Sequence, residues 1–522
     1  MPSASRARIV AIDAGTTGVR ALLFAAAAPG GATEDGSVTL EAVSYRELTQ
    51  HFPAPGLVEH DPAEIWAHVR DTVTEVAAAA GGPVAAIGIT NQRETVVAWN
   101  RSTGRVAHPA IVWQDRRTAP ACAKLSEAGH LPLVRERTGL VLDPYFSATK
   151  MAWLLTDGGV AASGDLVLGT VDTWVLWNLT GATAGGVVAT DPTNASRTLL
   201  YDIVDRRWSP QLCDVFGVPV EALPQVRPSC GHFGAVAAGA LGGALTGVPV
   251  AGIAGDQQAS LFGQACFSPG MAKTTYGTGS FLLANAGDRC PPPVDGLLTT
   301  VAWDLGDRAG GPQGFAYALE GSIFATGAAI QWLRDGLGII SDAAQIGPLA
   351  ASADDSGGVA FVPAFTGLGS PWWDPHARGT IVGLSRGTGA AHLARAAIEA
   401  IAYQNRDVVD AMIAGGGPRL AELRVDGGVA VVDVLLQLQA DQLGVPVTRA
   451  RSTEATALGA AQLAGLATDV WSSVDDLAMS WAPGERFEPA SSRLAADRRH
   501  ASWIAAVDRA RSWSPEGVPA TG

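Results

Sequence analysis

The 522-residue sequence has few lysines and lacks the common metal-binding patterns. Its only lysines are Lys124, Lys150 and Lys273, and none follows a glycine, which excludes a GxxxxGK[ST] phosphate loop. The five cysteines form no CxxC pair and the nine histidines form no HxxxH pair. Neither a zinc site nor a disulfide framework is therefore predicted.

Basic residues are also few, with 36 against 50 acidic residues and a formal net charge of −14. This balance disfavours nucleic acid as a partner, because a phosphate backbone would be repelled. The N-terminal segment has no apolar run long enough for a secretion signal, so we expect a cytoplasmic protein. The uncharged stretch 228–255 is rich in glycine and contains Pro249, which favours a surface segment and a buried strand over a membrane span.

What is abundant is a mixture of short apolar strands and amphipathic helices, which indicates an α/β fold. Asp61-Pro62 followed by an apolar stripe predicts a capped helix. A strand, a Gly/Thr turn and a second strand occur around residues 9–24 and again around 272–284. This repeat predicts two similar halves, residues 1–265 and 266–522, with a cleft between them.

The first Gly/Thr turn carries an aspartate at the end of its leading strand. In Asp13-Ala14-Gly15-Thr16-Thr17-Gly18, the glycines would let backbone N–H groups approach a phosphate, and a carboxylate can hold Mg²⁺ through water. An ordinary hairpin turn is the alternative for this segment and for Tyr276-Gly277-Thr278-Gly279. Their joint presence, with Asp426-Gly427-Gly428 after a third strand, favours a nucleotide cleft.

Other polar groups follow strands at places where they could bind a polyol. Asp256 in GDQQ is placed to accept a proton from a hydroxyl, or else to cap a helix. Arg93 and Glu94 in NQRE could bind hydroxyls, or else form a solvated hairpin tip. Trp113 and Tyr145 could wall the pocket, although packing in the core is the commoner role of an aromatic residue.

Together these segments resemble the FGGY carbohydrate kinases. The matching stretches run in the family's order from residue 9 to about residue 466 and include DAGTTGVR (13–20), AIGITNQRET (86–95), AIVWQDRRT (110–118), DPTNASRT (191–198), GIAGDQQASLFGQ (252–264), TYGTGSFLL (275–283), YALEGSIF (317–324) and RVDGG (424–428). The resemblance implies an α/β, two-domain, actin-like and ribonuclease H-like ATPase fold with the active-site cleft between the domains. It also implies ATP-dependent phosphorylation of glycerol to sn-glycerol 3-phosphate.

The resemblance further implies the roles of individual residues. Asp256 is expected to be the general base, and Asp13 to position Mg²⁺. The residues expected to bind glycerol, by hydrogen bonds or as apolar walls, are Arg93, Glu94, Trp113, Tyr145, Gln257 and Phe281. Those expected to contact ATP are Thr16, Thr17, Gly18, Arg20, Thr278, Gly327, Gln331 and Gly428. Relatives imply a homo-oligomer, as a dimer or a tetramer.

Three positions depart from the family pattern, and two alternative functions stay open. Ala14 stands where members acting on glycerol usually have glutamine, although other sugar kinases of the family have alanine there. Val432 replaces an asparagine common near the adenine, and Gly247 replaces an arginine used by some bacterial members for inhibition by fructose 1,6-bisphosphate. We therefore expect that inhibition to be weak or absent. The alternatives are a kinase of another polyol or ketose, such as erythritol, xylulose or ribulose, and a non-catalytic nucleotide-binding scaffold. The scaffold is disfavoured because Asp13 and Asp256 are both present.

Overall fold

The computed structural model of the chain describes residues 6–26, 38–308 and 314–513. The strands are β1 (Ala7–Ala14), β2 (Gly18–Ala26), β3 (Thr39–Glu47), β4 (Glu59–His60), β5 (Val84–Asn91), β6 (Val96–Asn100), β7 (Val106–Ile111), β8 (Leu166–Thr170), β9 (Ala189–Thr190), β10 (Tyr201–Asp202), β11 (Arg207–Trp208), β12 (Gln225–Val226), β13 (Cys230–Ala235), β14 (Pro249–Gly255), β15 (Met271–Tyr276), β16 (Ser280–Gly287), β17 (Leu298–Asp304), β18 (Phe315–Ile323), β19 (Ala360–Val362), β20 (Thr380–Val382), β21 (Glu422–Asp426), β22 (Val447–Ala450) and β23 (Pro483–Phe487).

Fifteen α-helices connect and cover these strands within the described ranges. They are α1 (Pro62–Ala79), α2 (Ala119–Glu127), α3 (Leu131–Thr138), α4 (Ser147–Leu155), α5 (Val171–Leu179), α6 (Pro192–Ala195), α7 (Pro210–Phe216), α8 (Asp256–Gly263), α9 (Gly327–Asp335), α10 (Ile346–Ala351), α11 (Ala390–Ala414), α12 (Asp433–Leu443), α13 (Ala455–Ala467), α14 (Val474–Ser480) and α15 (Arg493–Ala510). In these parts of the chain, every helix is too short or too polar to span a lipid bilayer.

Two large sheets form the framework, and they share one arrangement of strands. The first has the order β13-β14-β5-β1-β2-β3, and the second the order β17-β18-β16-β15-β21-β22-β23. In each, a hairpin (β1–β2 or β15–β16) lies beside two strands that run parallel to its first strand. The predicted repeat of two Gly/Thr hairpins is thus present as the same topology built twice.

The first sheet is buried on both faces because helices cover it on both sides. Helix α1 packs on β1, β2 and β3, with its predicted stripe of Ile65, Val69, Val73 and Val76 buried. Its predicted start is confirmed, since the Asp61 side chain accepts a hydrogen bond from the Ala63 N–H and Pro62 is the first helical residue. Coverage on both faces explains the nearly continuous apolar sequence of β1.

Helix α13 covers the other face of the first sheet. In the chain it comes much later, directly after β22 of the second sheet. It packs on β1, β5, β14 and α8. Glycines permit the close approach, since a Cβ at Gly459 would overlap the carbonyl oxygen of Ala259, and one at Gly88 that of Ala460. This helix therefore ties the two halves of the chain together, while their predicted division at residues 265 and 266 stays a prediction.

Replacing Gly459 by alanine tests this contact. In an ordinary helix the change would stabilise the protein by about 1 kcal/mol. Here we expect Gly459→Ala to lower the free energy of unfolding by about 1–3 kcal/mol, because helices α13 and α8 must move apart. Urea denaturation measures the difference. Gly239→Ala, where an added Cβ meets no atom within 4 Å, is the matched control, and equal stability of the two variants would contradict the packing argument.

Candidate functional site

The first Gly/Thr hairpin is the tight turn between β1 and β2. The Gly15 N–H donates to the Gly18 carbonyl oxygen at 3.0 Å. Gly18 must be glycine because a Cβ there would overlap the Tyr45 ring. Thr16 is partly exposed and Thr17 is exposed.

Side chains hold three successive carbonyl oxygens of this turn. Gln92 Nε2 donates to Gly15 O (3.0 Å), Gln50 Nε2 to Thr16 O (2.7 Å) and the Tyr45 hydroxyl to Thr17 O (3.2 Å). Carbonyl oxygens would repel a phosphate, and here they are engaged with the protein. The turn is therefore suited to present N–H groups and threonine hydroxyls to an anion.

Buried His60 lies between the two glutamine side chains. Its Nε2 lies 3.0 Å from Gln50 Oε1, and its Nδ1 lies 3.3 Å from Gln92 Nε2. Burial lowers the pKa of His60 to about 4, so the ring is neutral near pH 7 and can donate on one side while accepting on the other. The histidine thus supports both glutamines that hold the turn.

Asp13 and Arg20 face each other across the β1–β2 hairpin. Arg20 Nε and Nη2 both donate to Asp13 Oδ2, at 3.2 and 2.5 Å, and Nη1 donates to Glu454 at 2.8 Å. Burial raises the pKa of Asp13, and the Arg20 guanidinium opposes that rise. Three of the five N–H groups of Arg20 are used in these bonds, which leaves two for a ligand.

The turn between β5 and β6 carries Arg93 and Glu94 into the interior. Their exposures are 2% and 1%, so the alternative of a solvated hairpin tip is wrong. Glu94 has a φ of +62°, in the left-handed region that non-glycine residues rarely adopt. A strained backbone at a buried charge is typical of functional sites.

Arg93 and Glu94 belong to a buried network of four charges. Glu320 in β18 accepts from both terminal nitrogens of Arg93, at 2.6 and 3.0 Å, and from Arg197 at 3.0 Å. Arg197 Nε also donates to Glu94 at 2.6 Å. Burial alone would raise the pKa of Glu320, but Arg197 and Arg93 lower it to about 2. Two cations and two carboxylates thus balance between the two sheets.

Asp256 lies beside this network, at the start of α8. The helix is capped by Gly255, so the alternative of an Asp256 N-cap is wrong. Asp256 Oδ1 lies 3.3 Å from Arg93 Nε, which is buried and has no hydrogen-bond partner among the described residues. Burial raises the pKa of Asp256, and Arg93 and Lys273 oppose that rise. The unpartnered nitrogen marks a place where a ligand hydroxyl could bind.

Aromatic side chains border the same place. Trp113 and Tyr145 meet edge to face, with ring centroids 5.5 Å apart. The Tyr145 hydroxyl lies 3.4 Å from Arg93 Nη2, and Trp113 Nε1 donates to Thr16 Oγ1 at 2.9 Å. Trp113 therefore connects the Arg93 pocket to the first hairpin.

The second sheet presents one face to this pocket. The register pairs Lys273 with Leu283, Thr275 with Phe281 and Leu283 with Glu320, so these side chains share a face. Gln257, in α8, accepts a hydrogen bond from Lys273 at 2.5 Å. Phe281 is partly buried on that face.

The second hairpin, helix α9 and the loop after β21 meet at one end of the strands of the second sheet, a place called here the edge of that sheet. The N–H of Gly327 donates to Gly277 O (2.9 Å), and that of Ala328 to Thr278 O (3.0 Å). A Cβ at Gly427 would lie 2.5 Å from Tyr276 O, which requires glycine. The predicted nucleotide residues Thr278 and Gly428 are exposed at this edge, and Gln331 is exposed one turn along α9.

The structure brings the predicted residues into two groups. One is the Arg93 pocket with Asp256 and the neighbouring first hairpin, and the other comprises the second hairpin, the start of α9 and the glycine loop after β21. The described residues hold no cluster of three or more His, Cys, Asp or Glu side chains suited to a metal ion. Mg²⁺ often binds through one or two carboxylates, water and substrate phosphates, so a site at Asp13 fits that chemistry. Both Arg20 bonds go to Oδ2, and Oδ1 remains for such a cation.

Comparison with known proteins identifies the family. Residues 8–263 match the N-terminal domain, and residues 272–468 the C-terminal domain, of the FGGY family of carbohydrate kinases. The chain belongs to this family. The predicted resemblance is thereby confirmed.

Individual relatives cover nearly the whole chain. A curated glycerol kinase of Aromatoleum aromaticum is 53% identical over 515 residues, which are 97% of this chain and 99% of that protein. The glycerol kinase of Symbiobacterium thermophilum is 51% identical with the same coverage. The crystal structure of Plasmodium falciparum glycerol kinase with ADP has a TM-score of 0.88 at 32% identity, covering 97% of this chain and 98% of that one. The predicted two-domain α/β fold is thereby confirmed.

Three charged residues of the pocket were not among the predicted site residues. Glu320 and Arg197 lie within the stretches YALEGSIF and DPTNASRT that carried the resemblance, and Lys273 lies in β15. The sequence does hold one indication, which is a single charged residue inside an otherwise uncharged strand, as at Glu320 and Lys273.

Neutralising Glu320 tests the charge network. We expect Glu320→Gln to lower the free energy of unfolding by about 3–5 kcal/mol at pH 7, because it removes the carboxylate that pairs with both buried guanidinium groups. Since the pKa of Glu320 is lowered on folding, its ionised form stabilises the protein above about pH 4.3. That contribution is lost as the pH falls towards about 2.

Urea denaturation at a series of pH values measures this effect. The difference between wild type and Glu320→Gln should be largest at neutral pH and shrink in acid. Asp335→Asn, which removes an exposed partner of Arg334, serves as the control and should leave stability unchanged. A pH-independent difference would contradict the assigned ionisation of Glu320.

Proposed function

We propose that the protein transfers the γ-phosphoryl group of ATP to a terminal hydroxyl of glycerol, giving ADP and sn-glycerol 3-phosphate. The observation that carries this proposal is the buried Arg93–Glu94 pair with the partly buried Asp256 beside it, next to the first Gly/Thr hairpin. It is supported by similarity to glycerol kinases over 97% of the chain.

A small polyol suits the polar and aromatic groups of the pocket. Arg93 Nε can donate to one hydroxyl, and Glu94 and Asp256 can accept from others. Trp113 and Phe281 supply apolar surface for the carbon chain, while Tyr145 and Gln257 add polar groups. These roles are part of the proposal.

The two hairpins are proposed to hold the nucleotide from opposite sides. Thr16, Thr17, Gly18 and Arg20 contact the phosphates from the first sheet, and Thr278 from the second. The nucleoside lies along the exposed edge formed by Gly327, Gln331 and Gly428. Asp13 would hold Mg²⁺ at this place, and the cation would neutralise charge on the transferring phosphates.

The transfer step needs alignment more than strong basicity. The glycerol oxygen forms a bond to the γ-phosphorus, and the bond from that phosphorus to the β–γ bridging oxygen breaks. The hydroxyl proton passes to Asp256, and ADP leaves. Burial raises the pKa of Asp256, which makes the carboxylate a better proton acceptor, and the charges of Arg93 and Lys273 favour its ionised form.

The proposal also extends to the setting of the enzyme. It includes a cytoplasmic location and a homo-oligomer, as expected from the family. It also includes the division of the chain into residues 1–265 with the polyol pocket and 266–522 with the nucleoside site.

A test of the function is ADP release with Mg-ATP and glycerol, erythritol, xylulose, ribulose or no acceptor. We expect selective turnover of glycerol. In Asp256→Asn, kcat should fall by about 10²- to 10⁴-fold, because the base is lost while the binding groups remain. Exposed Asp157→Asn is the matched control and should retain wild-type turnover. If only another polyol were turned over, the assignment of glycerol as the substrate would be wrong. If Asp256→Asn kept full activity, the assignment of Asp256 as the base would be wrong.

The Mg²⁺ assignment is tested by varying the free cation in Asp13→Asn. We expect the Mg²⁺ concentration for half-maximal activity to rise about tenfold or more, since one anionic ligand group is lost. The KM for glycerol should stay near the wild-type value. Glu454→Gln is the control, because it frees Arg20 while keeping Asp13, and it should leave the Mg²⁺ requirement unchanged. If the Mg²⁺ concentration for half-maximal activity rose equally in Asp13→Asn and Glu454→Gln, the effect would come from Arg20 and the assignment to Asp13 would be wrong.

A further inference from the structure

Lys273 is a fully buried ammonium group for which the proposed transfer step has no direct role. It lies in the middle of β15, with 0% of its surface exposed. It forms no ion pair with a carboxylate of the described residues; instead its Nζ donates to two uncharged oxygens, Gln257 Oε1 at 2.5 Å and Thr275 Oγ1 at 2.9 Å. A charge buried without a carboxylate in direct contact is costly, so its retention calls for a function.

The surroundings of Lys273 are those of the pocket. Its neighbours on the same sheet face include Glu320 in β18 and Asp426 in β21, and Arg93 and Asp256 act on it from the first half of the chain. Burial lowers the pKa of Lys273 to about 8, which leaves the ammonium form predominant at neutral pH. Three carboxylates and one guanidinium group therefore act on the ammonium of Lys273.

The chemistry of the contact determines how the Gln257 amide is oriented. An ammonium group can only donate, so the atom of Gln257 that faces Lys273 must be the amide oxygen. The amide NH₂ group is then directed elsewhere. Without Lys273 the two ends of the amide could exchange, and the substrate would meet either a donor or an acceptor.

We propose that Lys273 is a positioning residue of the polyol pocket, which holds the Gln257 amide so that its nitrogen donates to a substrate hydroxyl. This inference rests on the proposed function, since Gln257 is taken to bind the polyol. Lys273 acts through Gln257 and does not itself touch the substrate. It thereby contributes to selection of a ligand that presents an acceptor oxygen at that point.

The first experiment is a double-mutant cycle on glycerol binding. Lys273→Met keeps the length of the side chain and removes the donor, and Gln257→Leu removes the amide. Each is expected to raise the KM for glycerol about tenfold, with the KM for ATP nearly unchanged. The double variant should be no worse than Gln257→Leu alone, because Lys273 acts through that residue.

The controls separate positioning from a general loss of structure. Exposed Lys124→Met should behave as wild type. Circular dichroism confirms that each variant is folded, and calorimetric titration with glycerol gives affinity independently of turnover. A wild-type KM for glycerol in Lys273→Met, or effects that multiply fully in the double variant, would overturn the proposal.

A second experiment tests the contact without any use of activity. In Gln257→Glu, the introduced carboxylate would face the ammonium of Lys273, so we expect the melting temperature to be retained or raised. In Gln257→Glu combined with Lys273→Met, the same carboxylate has lost that partner, and the melting temperature should fall. An equal change in both backgrounds would overturn the contact. If wild type fails to phosphorylate glycerol but this coupling is found, the proposed function fails and the contact stands.

Discussion

The structure depends on a balanced group of four buried charges, Arg93, Glu94, Arg197 and Glu320. Glu320 belongs to the second sheet and its partners to the first half of the chain, so the network forms only when the two halves meet. Each charge would be costly to bury alone, and together they satisfy one another through short hydrogen bonds. The position of Arg93, and with it the shape of the pocket, is therefore coupled to the relative position of the sheets.

The glycines at the two hairpins show a different constraint, which is space. Gly18 lies under the Tyr45 ring, and Gly427 lies against the backbone of Tyr276 with a φ of +90°. Because these glycines have no Cβ, neighbouring chain segments can pack directly against the hairpins. Backbone geometry thus accounts for the form of the two turns, while the buried charges account for the pocket around Arg93.

Local sequence patterns predicted the local structure well. The capped helix α1 and both hairpins follow from spacing and from residues such as Asp61, Pro62 and Gly18. The charge network could not be predicted in this way, because Glu320 and Arg93 are 227 positions apart and their pairing depends on how the two sheets meet. The contact of Lys273 with Gln257 could not be predicted either, because the pattern of a strand does not indicate which residue pairs with a charge in it. The roles of the site residues remain predictions that rest on the family resemblance.

Hydrogen bonds connect the proposed polyol pocket to the first Gly/Thr hairpin. Trp113 borders the pocket, and its indole nitrogen donates to Thr16 Oγ1 at the tip of the hairpin. Gln92, directly before Arg93, donates to the carbonyl oxygen of Gly15 in the same tip. These bonds couple the position of the turn to that of the groups around Arg93. Under the proposed function, binding of the acceptor would therefore help to place the turn that contacts the phosphates, which would favour transfer to the bound hydroxyl over transfer to water.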